Sequence, residues 1–174
     1  MKKILSLVVG LAMLSSVAFA GEVEKKFELG INGGVALATN AGYDLGFGGQ
    51  VTGLYRLSEN LGLGAGIGYN TFSITGASGW SNADLSFLAL LKYSIGTEKT
   101  KPYLLASAGL SSWILSFGGA SASTSYPEIG GGAGIEFPLG ENSNFFVQAT
   151  ANIILATGSS FTYIPVDLGV NFDM

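Results

Sequence analysis

Lys92, set in the run Leu88-Ala-Leu-Leu-Lys-Tyr93, is the strand-embedded side chain of this sequence with the strongest claim to reactivity. Paired with a serine, a lysine can in principle replace the serine–histidine arrangement of nucleophilic catalysis. Little else is on offer. The sequence has no His, the commonest general base and metal ligand, and no Cys, which excludes disulfides and thiolate metal sites. The glycines that might suggest a phosphate-cradling loop, Gly62, Gly64, Gly66 and Gly68, alternate with larger residues instead of following the Gly-x-Gly-x-x-Gly spacing between a strand and a helix. Gly130, Gly132 and Gly134 alternate in the same way.

The first twenty positions read as an address. Lys2 and Lys3, an apolar stretch from Ile4 to Val17 and the small-residue end Ala18-Phe19-Ala20 make a secretory signal cleaved after Ala20. The mature domain is expected to span 21–174. Losing Lys2 and Lys3 takes the formal charge from −4 to −6, which argues against a nucleic-acid partner. Charged residues make up 11% of the chain and mean hydropathy is +0.44, whereas a soluble domain carries about 25% charged residues. No stretch after residue 20 approaches the roughly 18 apolar residues of a membrane-spanning helix. A helix-free membrane protein must close its sheet into a barrel, because only helices and closed barrels satisfy every backbone N–H and C=O in lipid.

Period-two alternation runs through nearly all of the mature chain and predicts strands at about 26–38, 45–57, 61–74, 83–95, 102–116, 127–139, 144–156 and 161–172. The fold class is therefore all-β, an eight-stranded antiparallel up-and-down transmembrane barrel. One face is apolar, for example Leu29, Ile31, Phe47, Val51, Phe87, Leu91, Val147, Val166 and Leu168, and the other carries Glu28, Asn32, Gln50, Arg56, Asp84, Lys92, Glu136, Gln148, Asp167 and Asn171. Apolar outside and polar inside is the membrane-barrel arrangement; a soluble lipocalin-like barrel needs the reverse. In the fifth strand Leu104, Ala106, Ala108 and Leu110 are assigned to lipid, against Tyr103, Leu105 and Trp113. Phe27, Tyr55, Tyr93, Phe137, Phe145 and Phe172 lie on the apolar face near one end and are read as an aromatic girdle.

The connections near 58–60, 96–101 and 140–143 are short and polar, whereas those near 39–44, 75–82, 117–126 and 157–160 are longer on average, rich in Gly, Ser, Ala and Thr, with Trp80 at one tip. That alternation predicts periplasmic turns, four surface loops and periplasmic termini. A first-hairpin loop centred near residue 42 makes partner numbers sum to 84 and sets Glu28 opposite Arg56, with Lys92 and Glu136 at similar depth as a second lumen ion pair. Both pairs are expected to be structural. The lumen glycines leave room for Leu54, Leu88, Leu90, Phe146 and Ile154.

The signal peptide, the segments Asn60-Leu-Gly-Leu-Gly-Ala-Gly-Ile-Gly-Tyr69, Lys101-Pro-Tyr-Leu-Leu-Ala-Ser-Ala-Gly-Leu110 and Gly131-Gly-Ala-Gly-Ile-Glu-Phe137, and a last strand ending near Phe172 give the mature chain a resemblance to the small outer-membrane β-barrel superfamily. That class includes OmpX, the OmpA membrane domain and the opacity-type proteins. It departs from the usual pattern in placing Asp173 and Met174 after the last aromatic, and it is expected to lack an OmpA-like cell-wall-binding domain. The resemblance implies a monomeric outer-membrane protein of a Gram-negative bacterium, surrounded by outer-membrane lipid and inserted by the barrel-insertion machinery. It implies no cofactor or metal, a non-enzymatic surface role and an unidentified loop partner. Two alternatives stand beside it. An eight-stranded barrel could form a small porin-like passive channel, although its lumen is narrow enough for side chains to fill. Small barrels that act on lipid rely on His, which is missing here.

Overall fold

The computed structural model describes residues 26–77, 80–96 and 99–174; the expected signal peptide lies outside the described residues. Eight strands follow in order: β1 (Phe27–Ala38), β2 (Gly46–Arg56), β3 (Leu61–Ser73), β4 (Trp80–Ser94), β5 (Lys101–Phe117), β6 (Ala120–Pro138), β7 (Ser143–Ala156) and β8 (Ser159–Asp173). Each pairs antiparallel with the next, and β1 pairs with β8 to close the barrel. Closure reaches the last residue, because Phe27 N–H donates to Met174 O at 3.1 Å and Met174 N–H to Phe27 O at 2.8 Å. No edge is left along the seam, as hydrocarbon surroundings require.

Alternation decides which way each side chain points. Leu29, Ile31, Phe47, Val51, Phe87, Leu91 and Leu168 are exposed on the outside, while Glu28, Leu54, Asp84, Leu90, Lys92, Phe146, Gln148 and Asp167 are buried in the lumen. In β5 Leu104 is 52% exposed and Tyr103 only 3%, so the Leu104, Ala106, Leu110 set faces outward and Tyr103 and Trp113 face in. Leu54, Leu88 and Leu90 form one buried cluster, and Ala36, Phe72, Ile154 and Tyr163 form another toward the end away from the termini.

Glycine leaves room for these large neighbours. A Cβ on Gly134 would lie 2.4 Å from the Tyr103 ring and 2.7 Å from Val147 O. Gly134→Val must displace both ring and backbone, and is expected to destabilise the barrel by about 1–3 kcal/mol in urea unfolding from detergent.

Several expectations need correction. The segment 117–126 is strand for most of its length: β5 and β6 continue to a two-residue Gly118-Gly119 turn, with φ of +57° and +87°. Left-handed backbone at both turn positions matches the twist of a hairpin. A two-residue turn also joins β7 to β8, so the far end has two multi-residue connections, 39–45 and 74–79, where four loops were expected. Connection length therefore carries no orientation, since the connections 57–60, 95–100 and 139–142 at the terminal end are of comparable size. Trp80 opens β4, stacked on Phe117 with centroids 4.3 Å apart, and is not a loop tip.

The register of the first hairpin also needs correction. Phe27 pairs with Tyr55 and Glu28 with Leu54, so partner numbers sum to 82 and Arg56 lies one step beyond. Gly42, at φ +92°, and a bridge from Tyr43 to Ile74 hold the turn in this place. A two-residue slip keeps every side chain on its own face, so alternation is blind to it.

Candidate functional site

The lumen at the terminal end is filled by charge. Lumen-facing positions of β1, β2, β4, β6 and β8 bring Glu28, Arg56, Lys92, Glu136 and Asp173 together. Arg56 reaches diagonally past its own rung to Glu28 Oε2 at 2.9 Å and to Asp173 Oδ1 at 2.6 Å. Lys92 Nζ lies 2.7 Å from Glu28 Oε1 and 2.5 Å from Glu136 Oε1. Glu28 thus joins the two cations, and Lys92 joins two strands that do not touch in sequence order. Asn171 donates to the same Glu136 oxygen at 2.5 Å. Lys92 Nζ also sits 4.9 Å from the centroid of the buried Tyr103 ring, whose hydroxyl donates to Gln148 Oε1 at 2.9 Å. A lysine held by two carboxylates and an aromatic face is a fixed cation. Such a cation is held in place by its partners and has no free approach to a substrate.

The far end is closed by rings. Phe72 packs against Trp113, Phe161 and Tyr163 at centroid distances of 6.1, 5.3 and 5.6 Å, and Tyr43 lies over Phe161 at 4.9 Å. Beneath them Tyr163 Oη contacts Asp84 Oδ2 at 3.0 Å and Glu128 Oε1 at 2.8 Å. Ser111 also donates to Asp84. No ion pair reaches either acid among the described residues.

Outside, Phe27, Tyr55, Tyr93, Phe137 and Phe172 are exposed at the terminal end. Phe145 is half-buried against Phe137, with centroids 6.5 Å apart. Phe47 and Tyr69 are exposed toward the far end.

The β5–β6 hairpin rises beyond the ring cluster. The last β6–β7 pair is Glu128 with Ile154, so residues 120–127 pair with β5 on one side and have no strand on the other. Residues 120–125 are exposed on both faces.

Sequence reasoning missed Asp173, Glu128 and Tyr163. All three follow the lumen parity of their strands: Asp173 continues the odd-numbered polar face of β8 past Asn171, and Glu128 the even-numbered one of β6. Asp173 was read only as a departure after the last aromatic, and Glu128 adjoined a supposed loop.

Residues 6–172 match the family model for the outer membrane protein β-barrel domain. Among solved structures the chain is similar to the Neisserial surface protein A, at 20% identity over 85% of this chain and 97% of that one, with a TM-score of 0.72. It is also similar to Ail, the attachment invasion locus protein of Yersinia pestis, at 19% identity over 85% and 99% of the two chains and a TM-score of 0.55. The outer membrane enzyme PagL shares 16% identity over 83% and 99%, with a TM-score of 0.57. At such identities the likeness is one of fold, which an enzyme and an attachment protein share. No curated protein matches the chain in sequence.

Proposed function

The chain belongs to the outer membrane protein β-barrel family, and from that premise we propose that it is a non-enzymatic surface protein whose plugged barrel anchors a projecting hairpin. The observation that carries this reading is the unpaired edge of β6 at residues 120–127. A strand edge offers a row of backbone N–H and C=O groups to any extended segment that approaches it. From 120 to 126 the sequence is Ala-Ser-Ala-Ser-Thr-Ser-Tyr, with no charge to deter pairing, and Pro127 ends the edge where the barrel wall begins. At roughly 3.4 Å per residue the edge is about 25 Å long. The name of Ail as an attachment protein agrees with such a role.

The outward rings support membrane placement. Tyr55 and Phe47 are eight positions apart on β2 and face the same way. At about 3.3 Å per residue and a tilt of about 40° they are separated by roughly 20 Å along the normal, close to the height of an apolar band between aromatic girdles. With both termini in the periplasm, as is usual for such barrels, Phe27, Tyr55, Tyr93, Phe137, Phe145 and Phe172 mark the periplasmic interface, and the hairpin stands outside the cell. Export with cleavage after Ala20, insertion as a monomer by the barrel-insertion machinery and contact with outer-membrane lipid complete the proposal. The acids and bases at the terminal end act as a structural plug. With the ring cluster, they weigh against a channel.

Two measurements test this. Wild-type protein in planar bilayers is expected to give no steady conductance beyond small irregular events, and uniform stepwise openings would replace the reading with a channel. Cells expressing wild type should adhere to immobilised denatured polypeptide, an edge-pairing probe. Trimming the hairpin by joining Trp113 to Thr124 through a new Gly-Gly turn, which keeps Trp113 in the ring cluster, should abolish adhesion while the barrel still inserts. Equal adhesion by both would refute a role for the edge.

A further inference from the structure

Between the ion network and Tyr163 the lumen holds a chamber of about 30 Å3, which is room for a small ion with a water or two. Its wall includes Asn32, Asn70, Gln148, Thr150, Asn152 and Asp167. The lumen's charge is divided unevenly along its length. Arg56, Lys92 and, at the rim, Lys101 all lie at the terminal end, where Glu28, Glu136 and Asp173 face them. Above them Asp167, Asp84 and Glu128 face only neutral groups among the described contacts: Gln148 donates to Asp167 at 3.3 Å, and Ser111 and Tyr163 serve the other two. A second, independent sign is the chemistry of the buried atoms left without a hydrogen bond. Among the described residues these are Asn32 Oδ1, in the chamber's wall, and Asn82 Oδ1 and Glu128 Oε2, which lie outside it toward the far end; all are acceptors. This part of the lumen has a surplus of oxygen lone pairs and a deficit of positive charge. Water can satisfy the first, whereas a bound cation or a proton must supply the second.

We propose that the chamber binds one small monovalent metal cation of the size of Na+, held by the Asp167 carboxylate together with amide and hydroxyl oxygens of Asn32, Asn152 and Thr150. Hard cations take oxygen ligands of this mixed kind, and neutral oxygens complete the shell. A single carboxylate in the wall matches a single positive charge, whereas a divalent ion would call for a second. Organic ammonium ions exceed the space. This site is independent of the hairpin edge, so its failure would leave the surface role standing.

The test is equilibrium urea unfolding of the full-length folded barrel in detergent, in NaCl and in tetramethylammonium chloride at equal ionic strength. Na+ is expected to stabilise and tetramethylammonium not; past saturation each tenfold rise in Na+ should lower the unfolding constant about tenfold. Asp167→Asn should erase the difference between the salts, and Thr150→Val should move its onset to higher Na+. The same response to both salts, or a Na+ effect that survives Asp167→Asn, would overturn the proposal. So would stabilisation by micromolar Ca2+ with none by Na+. Should Asp167→Asn fail to fold, 23Na NMR of the wild type decides. The folded barrel should broaden the resonance and excess Li+ should reverse the broadening; broadening no greater than that of the urea-unfolded chain rejects the site.

Discussion

Lys92→Met is expected to destabilise the barrel by about 3–5 kcal/mol, because it removes one partner from a buried ionic network and leaves the carboxylates behind. Lys92 Nζ bridges Glu28 and Glu136 at 2.7 and 2.5 Å, and its side chain is 7% exposed. Without it Glu136 keeps only the Asn171 amide among its described side-chain contacts, and Glu28 keeps Arg56. Arg56→Met should cost less: its side chain is 21% exposed, and Asp173, which it abandons, lies at the water-facing rim. Because Glu28 contacts both cations, the effects of Glu28→Gln and Arg56→Met should fall short of or exceed their sum by at least about 0.5 kcal/mol, and Glu28→Gln with Lys92→Met should do the same. Urea unfolding in detergent, followed by the faster migration of the unheated folded band on SDS gels, measures the three single and two double variants. Simple additivity in both cycles would mean that the contacts do not bear on stability.

Phe72→Ala is expected to cost a similar amount, about 3–5 kcal/mol, for a different reason. Phe72 is buried at the centre of the far-end cluster and touches Trp113, Phe161 and Tyr163. Truncation removes three ring contacts at once, and the closed wall of the barrel limits how far the neighbours can collapse into the space. The cavity would adjoin Tyr163 and so the polar chamber, which gives water a way in from the far end. Unfolding midpoint is one readout and planar-bilayer current is another: brief openings should become more frequent than in wild type. A change below about 1 kcal/mol would show that the cluster is a loose cap, not a packed plug.

The faces of all eight strands were legible because lipid and lumen impose opposite chemistry on alternate residues, as in Phe87 against Leu88 or Leu168 against Asp167, where parity tells what composition does not. The hairpin tip was illegible for the converse reason. From Ala120 to Ser125 both faces meet water, so no alternation marks the strand, and Gly, Ser, Ala and Thr in succession read as loop. What holds it straight is the ladder to β5 and the Gly118-Gly119 turn, neither of which leaves an apolar trace. The first-hairpin register was hidden because a two-residue slip preserves every face, yet Glu28 and Arg56 still meet, since long side chains reach across a diagonal. Lys92 with Glu136 was legible from depth alone. The triad of Asp84, Tyr163 and Glu128 was not, because one member lay beside the supposed loop and tyrosine reads equally well as core.

The central claim is a barrel with its termini in the periplasm and the β5–β6 hairpin outside the cell. The sequence contains no cysteine, so a membrane-impermeant maleimide reports single introduced cysteines without background. On intact cells Ser123→Cys, at the hairpin, should label, and Ser58→Cys, in the connection between β2 and β3, should label only after the outer membrane is permeabilised. Labelling of Ser58→Cys on intact cells with Ser123→Cys protected would invert the barrel and contradict the account.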